Sequence, residues 1–399
     1  MVRWKGSVEY MNNKTRVLHV IGGGEFGGAE QHILNLLATF PKGEIDSQVV
    51  CFYDSVFAGK LREAGIPVIA LSQYGRFDPR LLSGLSRVIR DYRPDIVHSH
   101  GVKANFFARL AAFRKVPAVL TTVHSYLRYD YVHPLAYLVV SILEKGTRPL
   151  NDHYIAVSAA IRNILHKEGI QAEKISLIYN GIEIAPFRRT EQRPADRARL
   201  AAEWGLPADA FVYGTVARFV PVKGLRYMVE AFAEVAKRPA PSPCYLVMIG
   251  DGPERKQLEE TAQRLGVGGQ VVFTGFRSDI PACLHAFDVF VMSSLHEGLA
   301  YTILEAVASE VPVVATAVGG IQEFFDEATG LLVPPASVSQ LAQAMQRIKE
   351  DPALRERLAQ AAFRKLQQSF TIEQMAAQTI KLYQSLAANG NRPDRSVKR

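Results

Sequence analysis

The chain has 399 residues, of which 48% are hydrophobic and 22% charged, and this composition excludes a disordered or fibrous protein while allowing a large buried core. No apolar run approaches the ~20 residues that a membrane-spanning helix needs, and three widely separated cysteines offer no metal spacing or disulfide framework, so we expect a cytoplasmic protein in a reducing environment. The net charge of +8 lies mainly in residues 1–180, which hold 22 basic and 15 acidic side chains. That excess could serve an anionic membrane surface or an acidic acceptor, whereas no motif predicts a nucleic-acid partner.

The first half of the chain alternates short apolar runs with amphipathic segments. Helical periodicity predicts helices over 28–40, 79–92 and 102–113. The apolar runs predict seven strands, at 16–21, 48–53, 68–71, 95–98, 118–123, 153–157 and 174–179. Because strands that alternate with helices form βαβ crossovers, we expect a parallel sheet that is buried on both faces.

The same alternation restarts after a segment rich in Arg, Pro, Glu and Ala at 183–209, which carries no strand pattern and is interpreted as a linker. Strands are predicted at 211–216, 245–249, 270–273, 289–292 and 312–315. Helices are predicted at 224–237, 254–265, 300–309 and 338–349, followed by two more at 353–368 and 372–387. The simplest account is two α/β units joined by a linker.

The first candidate site is the glycine-rich loop after the first predicted strand, residues 21–30, IGGGEFGGAE. Glycines allow a ligand to approach the backbone closely, and the start of the next helix offers free N–H groups that suit phosphate. The pattern Gly22-x-Gly24-x-x-Gly27 also matches the dinucleotide fingerprint. A purely structural tight turn is the alternative interpretation.

The second candidate site is the segment 214–224, GTVARFVPVKG, in which a strand ends in a loop that carries Arg218 and Lys223. Ligands of α/β proteins bind at the carboxyl ends of parallel strands. Two cations there could neutralise a diphosphate, and an arginine can bind it in bidentate fashion. The alternative is that both are ordinary surface residues.

The third candidate site is the segment 293–306, SSLHEGLAYTILEA, where a strand leads through a loop into a helix. Glu297 lies in the loop and Glu305 lies two turns later. Carboxylates accept hydrogen bonds from pairs of hydroxyl groups, so these two could hold separate sugars of one ligand. The alternative, two surface glutamates, fits poorly because apolar helix positions flank Glu305.

These motifs together resemble a known family. The segment HEGLAYTILEAVASEVPVVATAVGGIQEF is similar to the signature of the retaining glycosyltransferases of the GT-B fold, the group 1 family that includes the family 4-like enzymes. GTVARFVPVKG, IGDGPER, FTGF, GGGEFGGAE, DIVHSHGVKAN, TTVHSY and IYNGIE match further segments, so the resemblance covers about residues 15–385. It implies two Rossmann-like domains facing across a cleft: an acceptor-binding domain over 1–180 and a nucleotide-sugar-binding domain over 181–370, with 371–388 packing back on the first.

The resemblance also implies roles for the charged residues. Glu305 would hold the ribose hydroxyls of the nucleotide, and Glu297 would contact hydroxyls of the donor sugar. Arg218 and Lys223 would bind the donor diphosphate and stabilise the leaving group. Catalysis is therefore expected to depend on Glu297, Arg218 and Lys223, together with His124, which would lie beside the sugar at the interdomain cleft.

The remaining implied contacts come from loops. Gly23 and Gly24 would let the first loop approach the donor phosphate and the acceptor. The helix start that follows Glu297 completes the donor-binding set with Gly298, Leu299 and Ala300. Many members of the family carry Gly or Pro where this chain has Ala300, so the sugar-side pocket is expected to differ slightly. From the residues alone, His124 could equally be a packing residue against Tyr126.

We expect no metal and no cofactor. His98 and His100 lie on one strand face and could form a metal pair, but no third ligand has suitable spacing. The chain also contains no Asp-x-Asp motif of the kind that clamps a divalent cation to a diphosphate in another glycosyltransferase fold. Arg218 and Lys223 would supply the positive charge instead.

The expected reaction is retaining transfer of a sugar from a nucleotide-sugar donor to a hydroxyl of a saccharide or lipid-linked acceptor, in polysaccharide or glycolipid synthesis. Front-side attack is favoured because no residue stands out as a nucleophile, with Glu297 as the alternative. Two other functions remain as alternatives: a nucleotide-sugar 2-epimerase on the same fold and a nicotinamide-dependent oxidoreductase. The second fits loosely, since Asp54 is the nearest acidic candidate for its ribose contact and lies 30 residues beyond Gly24. A non-catalytic binding module would leave the full donor set unexplained.

One apolar segment, 135–143, is too short to cross a bilayer. Tyrosines before and within it, and the basic excess of the first half, would suit a helix that holds the protein reversibly on an anionic membrane. The other interpretation is a buried helix of the N-terminal domain.

Overall fold

The computed structural model describes residues 14–24, 26–41, 43–71, 78–130, 134–188, 191–239 and 241–389. They form two α/β domains, each built on one fully parallel sheet, with strand orders β3-β2-β1-β4-β5-β6-β7 and β10-β9-β8-β11-β12-β13. The elements of the first domain are β1 Thr15–Ile21, α1 Gly28–Thr39, β2 Ile45–Cys51, α2 Val56–Glu63, β3 Val68–Ala70, α3 Arg80–Tyr92, β4 Ile96–His100, α4 Val102–Ala112, β5 Ala118–Val123, α5 Leu127–Asp130, α6 Pro134–Thr147, β6 His153–Ala156, α7 Ala159–Lys167 and β7 Ile175–Leu177.

The second domain and the C-terminal helices follow the same alternation. Their elements are α8 Arg193–Glu203, β8 Phe211–Val216, α9 Leu225–Ala236, β9 Cys244–Ile249, α10 Arg255–Arg264, β10 Val271–Gly275, α11 Ile280–His285, β11 Val289–Met292, α12 Tyr301–Ala308, β12 Val313–Thr316, α13 Ile321–Phe324, β13 Leu331–Val333, α14 Val338–Glu350, α15 Pro352–Ser369 and α16 Ile372–Asn389. The predicted architecture of two Rossmann-like α/β domains is confirmed.

Two details differ from the sequence-based expectation. The predicted linker contains the helix α8, whose Leu200 is fully buried against the second sheet's core. The second sheet also has a sixth strand, β13, which pairs with β12 through only three residues. A three-residue strand is too short to show a pattern of its own, and a tertiary partner decides its conformation.

Each sheet reverses its strand order at one point, between β1 and β4 in the first domain and between β8 and β11 in the second. At such a point the crossover helices leave in opposite directions, and a crevice opens beyond the carboxyl ends of the strands. The first crevice receives the loop after β1 and the ends of β4 and β5. The second receives the loops after β8 and β11, which carry Lys223 and Glu297. The sheet topology therefore brings the predicted motifs to two facing edges.

Helix α16 returns from the second domain to the first, as predicted. Ile372, Met375, Ala376 and Tyr383 are buried in a cluster that also contains β1 and β4 side chains. Thr371 pairs with Ile182 in an isolated parallel bridge, and Ile372 N donates to Ile182 O at 3.1 Å. The last helix is thus part of the N-terminal domain's core.

The segment 135–143 lies in helix α6, and the interpretation of this segment as a buried helix is wrong. Leu135, Leu138, Val139 and Ile142 are 63%, 54%, 49% and 61% exposed. They occupy positions i, i+3, i+4 and i+7, so they form one stripe on the helix surface. No helix in the described ranges is both long enough and apolar enough to cross a bilayer.

Candidate active site

Backbone from the two domains meets in the cleft at positions where only glycine fits. A Cβ on Gly298, in the loop after β11, would lie 2.2 Å from the His124 carbonyl oxygen, which follows β5 of the other domain. A Cβ on Gly320 would lie 2.1 Å from the Gly298 oxygen and 2.9 Å from the Ser158 side chain. Gly320 N also donates to Gly298 O at 2.7 Å. A methyl group does not fit at distances under 3.0 Å, so only glycine allows these backbone contacts. The two glycines thus let the loop after β11, called the donor loop below, contact the N-terminal domain.

Two of the charged residues expected to bind the donor, Lys223 and Glu297, are paired with each other. Lys223 Nζ lies 2.6 Å from Glu297 Oε1, and Ser294 Oγ donates to the same oxygen at 2.6 Å. The two side chains are only 21% and 9% exposed. This ion pair joins the loops after β8 and β11, which lie side by side at the point where the strand order reverses. It creates a compact polar centre at the carboxyl end of the second sheet.

Arg218 lies exposed on the loop after β8, and the segment 249–255 supports this loop. Phe219 is buried beneath it, and its N–H donates to the Asp251 carbonyl at 2.8 Å. A Cβ on Gly250 would lie 1.9 Å from the Ala217 oxygen, and Gly250 has a φ of +125°. The glycines of IGDGPER are therefore explained by their close packing under the loop that carries Arg218.

Glu305 lies on α12 and is partly buried. Burial raises the pKa of its carboxyl group to about 7. Within the described residues, no hydrogen bond or ion pair engages this carboxylate. A carboxylate that lacks a protein partner and is costly to ionise is poised to accept hydrogen bonds from a ligand.

The glycine-rich loop after β1 is a tight turn against β2. Gly23 has a φ of +67°, and a Cβ there would touch Cys51 at 3.4 Å, while a Cβ on Gly24 would lie 3.2 Å from the Tyr53 ring. Ser55 Oγ donates to the Gly23 carbonyl. At the start of α1, Gly27 N donates to Glu30 Oε2 at 3.1 Å, so a carboxylate already occupies this helix N-terminus. Residue 25 lies outside the described residues.

His124 belongs to a cluster of five buried or partly buried histidines that the sequence analysis did not predict. The others are His19, His32, His98 and His100. Ring nitrogens of His19, His98 and His100 can lie within 4.8 Å of one another, so His19 is a third potential ligand that spacing alone did not reveal. Burial lowers the pKa of His19 to about 3 and holds that of His98, His100 and His124 well below the usual range. Burial therefore favours the neutral form of these imidazoles.

A second set of contacts ties the donor loop to the N-terminal domain, and the sequence analysis missed it as well. Asn180 Nδ2 donates to the Leu299 carbonyl at 2.8 Å, and Asn180 Oδ1 accepts from His32 Nδ1 at 3.1 Å. The hydroxyl of Tyr301, the residue after Ala300, lies 3.2 Å from the same His32 nitrogen. Leu299 is therefore anchored by Asn180, which follows β7, and Tyr301 by His32 of α1.

Glu323 of α13 adds a charged contact between the domains. Its two carboxylate oxygens accept hydrogen bonds from the backbone N–H groups of Ala159 and Ala160, both at 2.7 Å. These groups begin α7 in the N-terminal domain, where a negative charge is favoured by the helix dipole. The GGIQEF segment thus binds directly to the start of α7 in the N-terminal domain.

Comparison with known proteins gives the family. Two family models match in sequence order: glycosyltransferase family 4 over residues 26–185 and glycosyl transferases group 1 over residues 196–365. The chain is 30% identical over 313 residues to the putative glycosyltransferase EpsD of Bacillus subtilis, covering 75% of this chain and 81% of that protein. It is 29% identical to the lipopolysaccharide core biosynthesis glycosyltransferase LpsD of Rhizobium meliloti, covering 89% and 94%.

Among solved structures, HepE of Anabaena in complex with UDP-glucose superposes with a TM-score of 0.81 at 25% identity, covering 93% of this chain and 99% of that one. The fold, the paired family models and these relatives agree. The chain belongs to the group 1 glycosyltransferases of the GT-B fold, and it is a glycosyltransferase.

Proposed function

We propose that this enzyme transfers a sugar, with retention of configuration, from a nucleotide-sugar donor in the second domain to a hydroxyl of a saccharide or lipid-linked acceptor on the first. The observation that carries the proposal is the Lys223–Glu297–Ser294 centre at the carboxyl end of the second sheet. The next residue, Gly298, brings this centre next to the backbone carbonyl of His124 in the first domain. Relatives named for lipopolysaccharide core synthesis and a neighbour that binds UDP-glucose support polysaccharide or glycolipid synthesis and a uridine nucleotide.

The roles follow from charge and position. The Glu305 carboxylate accepts hydrogen bonds from the ribose hydroxyls, which favour its ionised form. Lys223 and Arg218 neutralise the diphosphate as it departs, and Glu297 holds Lys223 and reaches the hydroxyls of the donor sugar. The Lys223 ammonium carries three protons, so it can bind a phosphate oxygen while it keeps its contact with Glu297. No metal is needed in this scheme, because the cations come from side chains.

Retention is proposed to proceed by front-side displacement. The bond between the anomeric carbon and the phosphate oxygen breaks, the acceptor oxygen bonds to the same face of that carbon, and the acceptor proton passes to the departing phosphate. Glu297 is a poor alternative nucleophile, because Lys223 and Ser294 both occupy its Oε1. A carboxylate oxygen that is already held by an ammonium and a hydroxyl group has reduced electron density for attack.

The proposal is tested by incubating the 399-residue protein with radiolabelled nucleotide sugars, UDP-glucose first, and extracted membrane lipids. We expect label to move into a lipid or saccharide fraction, and NMR of the product to show the anomeric configuration of the donor. An isomerised nucleotide sugar formed without acceptor would identify a 2-epimerase instead. An inverted product linkage would overturn the retaining mechanism alone.

We also propose that the acceptor domain contacts an anionic membrane through the stripe on α6. The usual exposure of apolar and polar side chains is reversed in this helix. The apolar residues Leu138 and Ile142 face solvent, whereas the buried residues are Ser141 and Thr147. Glu144, on the inner face, pairs at 2.8 Å with the fully buried Arg109 of α4, which fixes the orientation of the helix. An apolar stripe held outward by a buried ion pair is suited to the interfacial region of a bilayer.

The excess of basic side chains around α6 favours an anionic lipid surface as the binding partner of the stripe. Residues 101–148 contain seven basic and two acidic side chains. Arg128 lies 5.7 Å from the Tyr137 ring on the first turn of α6, and the exposed Lys145 lies on its last turn. Basic groups beside an interfacial helix add roughly 1 kcal/mol each to binding of an anionic leaflet. The acceptor cleft would then lie next to lipid-linked saccharides.

Vesicle flotation tests the membrane contact. We expect the protein to float with phosphatidylglycerol-containing vesicles at low salt, and the double variant Leu138→Glu, Ile142→Glu to remain in the soluble fraction. The control Gln343→Glu adds a negative charge on an exposed position of α14 and should float as the wild type does. Equal flotation of the double variant, or a stable dimer that the double variant abolishes, would show that the stripe does not bind lipid.

A further inference from the structure

A chain of hydrogen bonds between imidazoles leads from the cleft into the N-terminal domain. His124 Nε2 lies 3.1 Å from His100 Nδ1, and His100 Nε2 lies 3.3 Å from His19 Nδ1. His19 Nε2 is 3.5 Å from the Tyr383 hydroxyl, which is 2.7 Å from His98 Nδ1. These five residues are called the histidine chain below.

The fold explains why the histidine chain forms. His19 and His98 are opposite each other in the register of β1 and β4, the two strands at which the order of the first sheet reverses. Tyr383 comes from α16, which crosses back from the second domain. The inner end is closed by Thr122 of β5, whose Oγ1 lies 2.7 Å from His98 Nε2. Three strands and the last helix thus contribute to one buried polar line.

The direction of these hydrogen bonds can be worked out from the inner end. A neutral imidazole has one donor and one acceptor nitrogen. The Thr122 side chain is buried, and within the described residues His98 Nε2 is the partner of its hydroxyl group. A buried hydroxyl proton without an acceptor is costly, so Thr122 donates to His98 Nε2. His98 therefore carries its own proton on Nδ1.

The same rule then passes along the chain. His98 Nδ1 donates to the Tyr383 oxygen, so the Tyr383 hydroxyl donates to His19 Nε2. His19 in turn donates from Nδ1 to His100 Nε2, and His100 donates from Nδ1 to His124 Nε2. The proton of His124 must then be on Nδ1. Within the described residues, no hydrogen bond engages this last nitrogen, and His124 as a whole residue is partly exposed.

We propose that the histidine chain fixes His124 as the Nδ1–H tautomer, so that His124 presents a neutral hydrogen-bond donor to an oxygen of the donor sugar. This rests on the proposed function, since it is the nucleotide sugar that brings the oxygen. His100, His19 and Tyr383 are positioning residues, because they act on the ligand only through His124. A neutral His124 fits this geometry, because a charged imidazole would carry a proton on Nε2 and could not accept the hydrogen bond from His100 Nδ1 at 3.1 Å.

A metal ion is the competing occupant of this cluster, and two observations disfavour it. Both nitrogens of His98 already meet hydroxyl groups at 2.7 Å. The ligand set His19, His98 and His100 includes no carboxylate or thiolate, so a divalent cation would enter a buried site with its charge uncompensated. The metal content of the purified protein is therefore measured together with the tautomers.

The tautomers can be measured on the ligand-free protein by long-range proton–nitrogen correlation NMR with 15N-labelled histidine. We expect His19, His98, His100 and His124 all to show a protonated Nδ1 at pH 7, although Nε2–H is the major form of free histidine. His32 supplies an internal reference, because Asn180 Oδ1 independently requires a protonated Nδ1 there. A protonated Nε2 in any of the four would overturn the proposal, and so would a stoichiometric metal in the purified protein that shifts these signals on removal.

Binding measurements test the consequence for the ligand. We expect His100→Leu to leave the affinity for UDP unchanged and to weaken binding of UDP-glucose roughly 3- to 10-fold, the value of one hydrogen bond. His100→Asn, whose amide can still donate to His124 Nε2, should restore the affinity for UDP-glucose. Equal losses for UDP and UDP-glucose, or no rescue by asparagine, would refute the positioning role. A wild-type protein that binds neither probe would count against the proposed uridine donor. The tautomer pattern is measured without ligand, so that result would not affect its test.

Discussion

Glu305 offers a sharp test because its carboxyl group affects stability and ligand binding in opposite directions. Burial raises its pKa from 4.5 to about 7. The folded state therefore binds more protons than the unfolded state between these values, and the free energy of unfolding falls as pH rises through this window. A shift of this size corresponds to about 3 kcal/mol at 1.36 kcal/mol per unit. Glu305→Gln removes the ionisation and keeps the shape.

We expect Glu305→Gln to match the wild type in urea unfolding at pH 4.5 and to be more stable by up to about 3 kcal/mol at pH 8. Isothermal titration with UDP should show the opposite effect at pH 8, an affinity roughly 10- to 100-fold lower, because ribose hydroxyls lose a charged acceptor. Glu234→Gln, at an exposed position on α9, is the matched control and should change neither property. A stability difference that is the same at both pH values would refute the burial argument, and unchanged UDP affinity would refute the ribose contact.

Three further predictions concern the cleft. Lys223→Ala and Arg218→Ala should each lower kcat/KM by ~10²–10³ in steady-state assays, because they stabilise charge on the leaving group; a loss below threefold would remove them from catalysis. Turnover should be unaffected by EDTA, and activity that EDTA abolishes and Mn²⁺ restores would contradict the metal-free scheme. Gly298→Ala should separate the domains, since its methyl group would collide with the His124 carbonyl; small-angle scattering should show a larger radius of gyration and transfer should fall, whereas Gly59→Ala, with open space around its Cβ, should resemble the wild type.

The fold was predictable because buried parallel strands are nearly continuous apolar runs, and twelve of them stand out between helical periods. The individual motifs were also visible, since each loop holds its own glycines and charges. The ion pair between Lys223 and Glu297 was not, because 74 residues separate them and only the pairing of β8 with β11 brings them together. The interpretation of each residue as a separate ligand contact missed this mutual contact.

The histidines show the same limit. His98 and His100 were identified as a pair, but His19 stands alone between the apolar residues Leu18 and Val20 of β1, and nothing near it in the chain reveals its partners. The signal that could have identified it is topological. If β1 and β4 are assumed to be neighbours, as in other sheets with this strand order, His19 falls opposite His98. Tyr383 could not be found in this way, because it depends on the path of the last helix.

The path of α16 has a consequence for biosynthesis. Tyr383 is required to complete hydrogen bonds inside a domain whose last strand ends at Leu177. The N-terminal domain therefore cannot reach its final packing when it leaves the ribosome, and it must wait for some two hundred further residues. A chain that stops before α16 would keep unsatisfied imidazoles and an uncovered apolar surface, which are features that chaperones and proteases recognise. The returning helix thus makes completion of the whole polypeptide a condition for the stability of its first half.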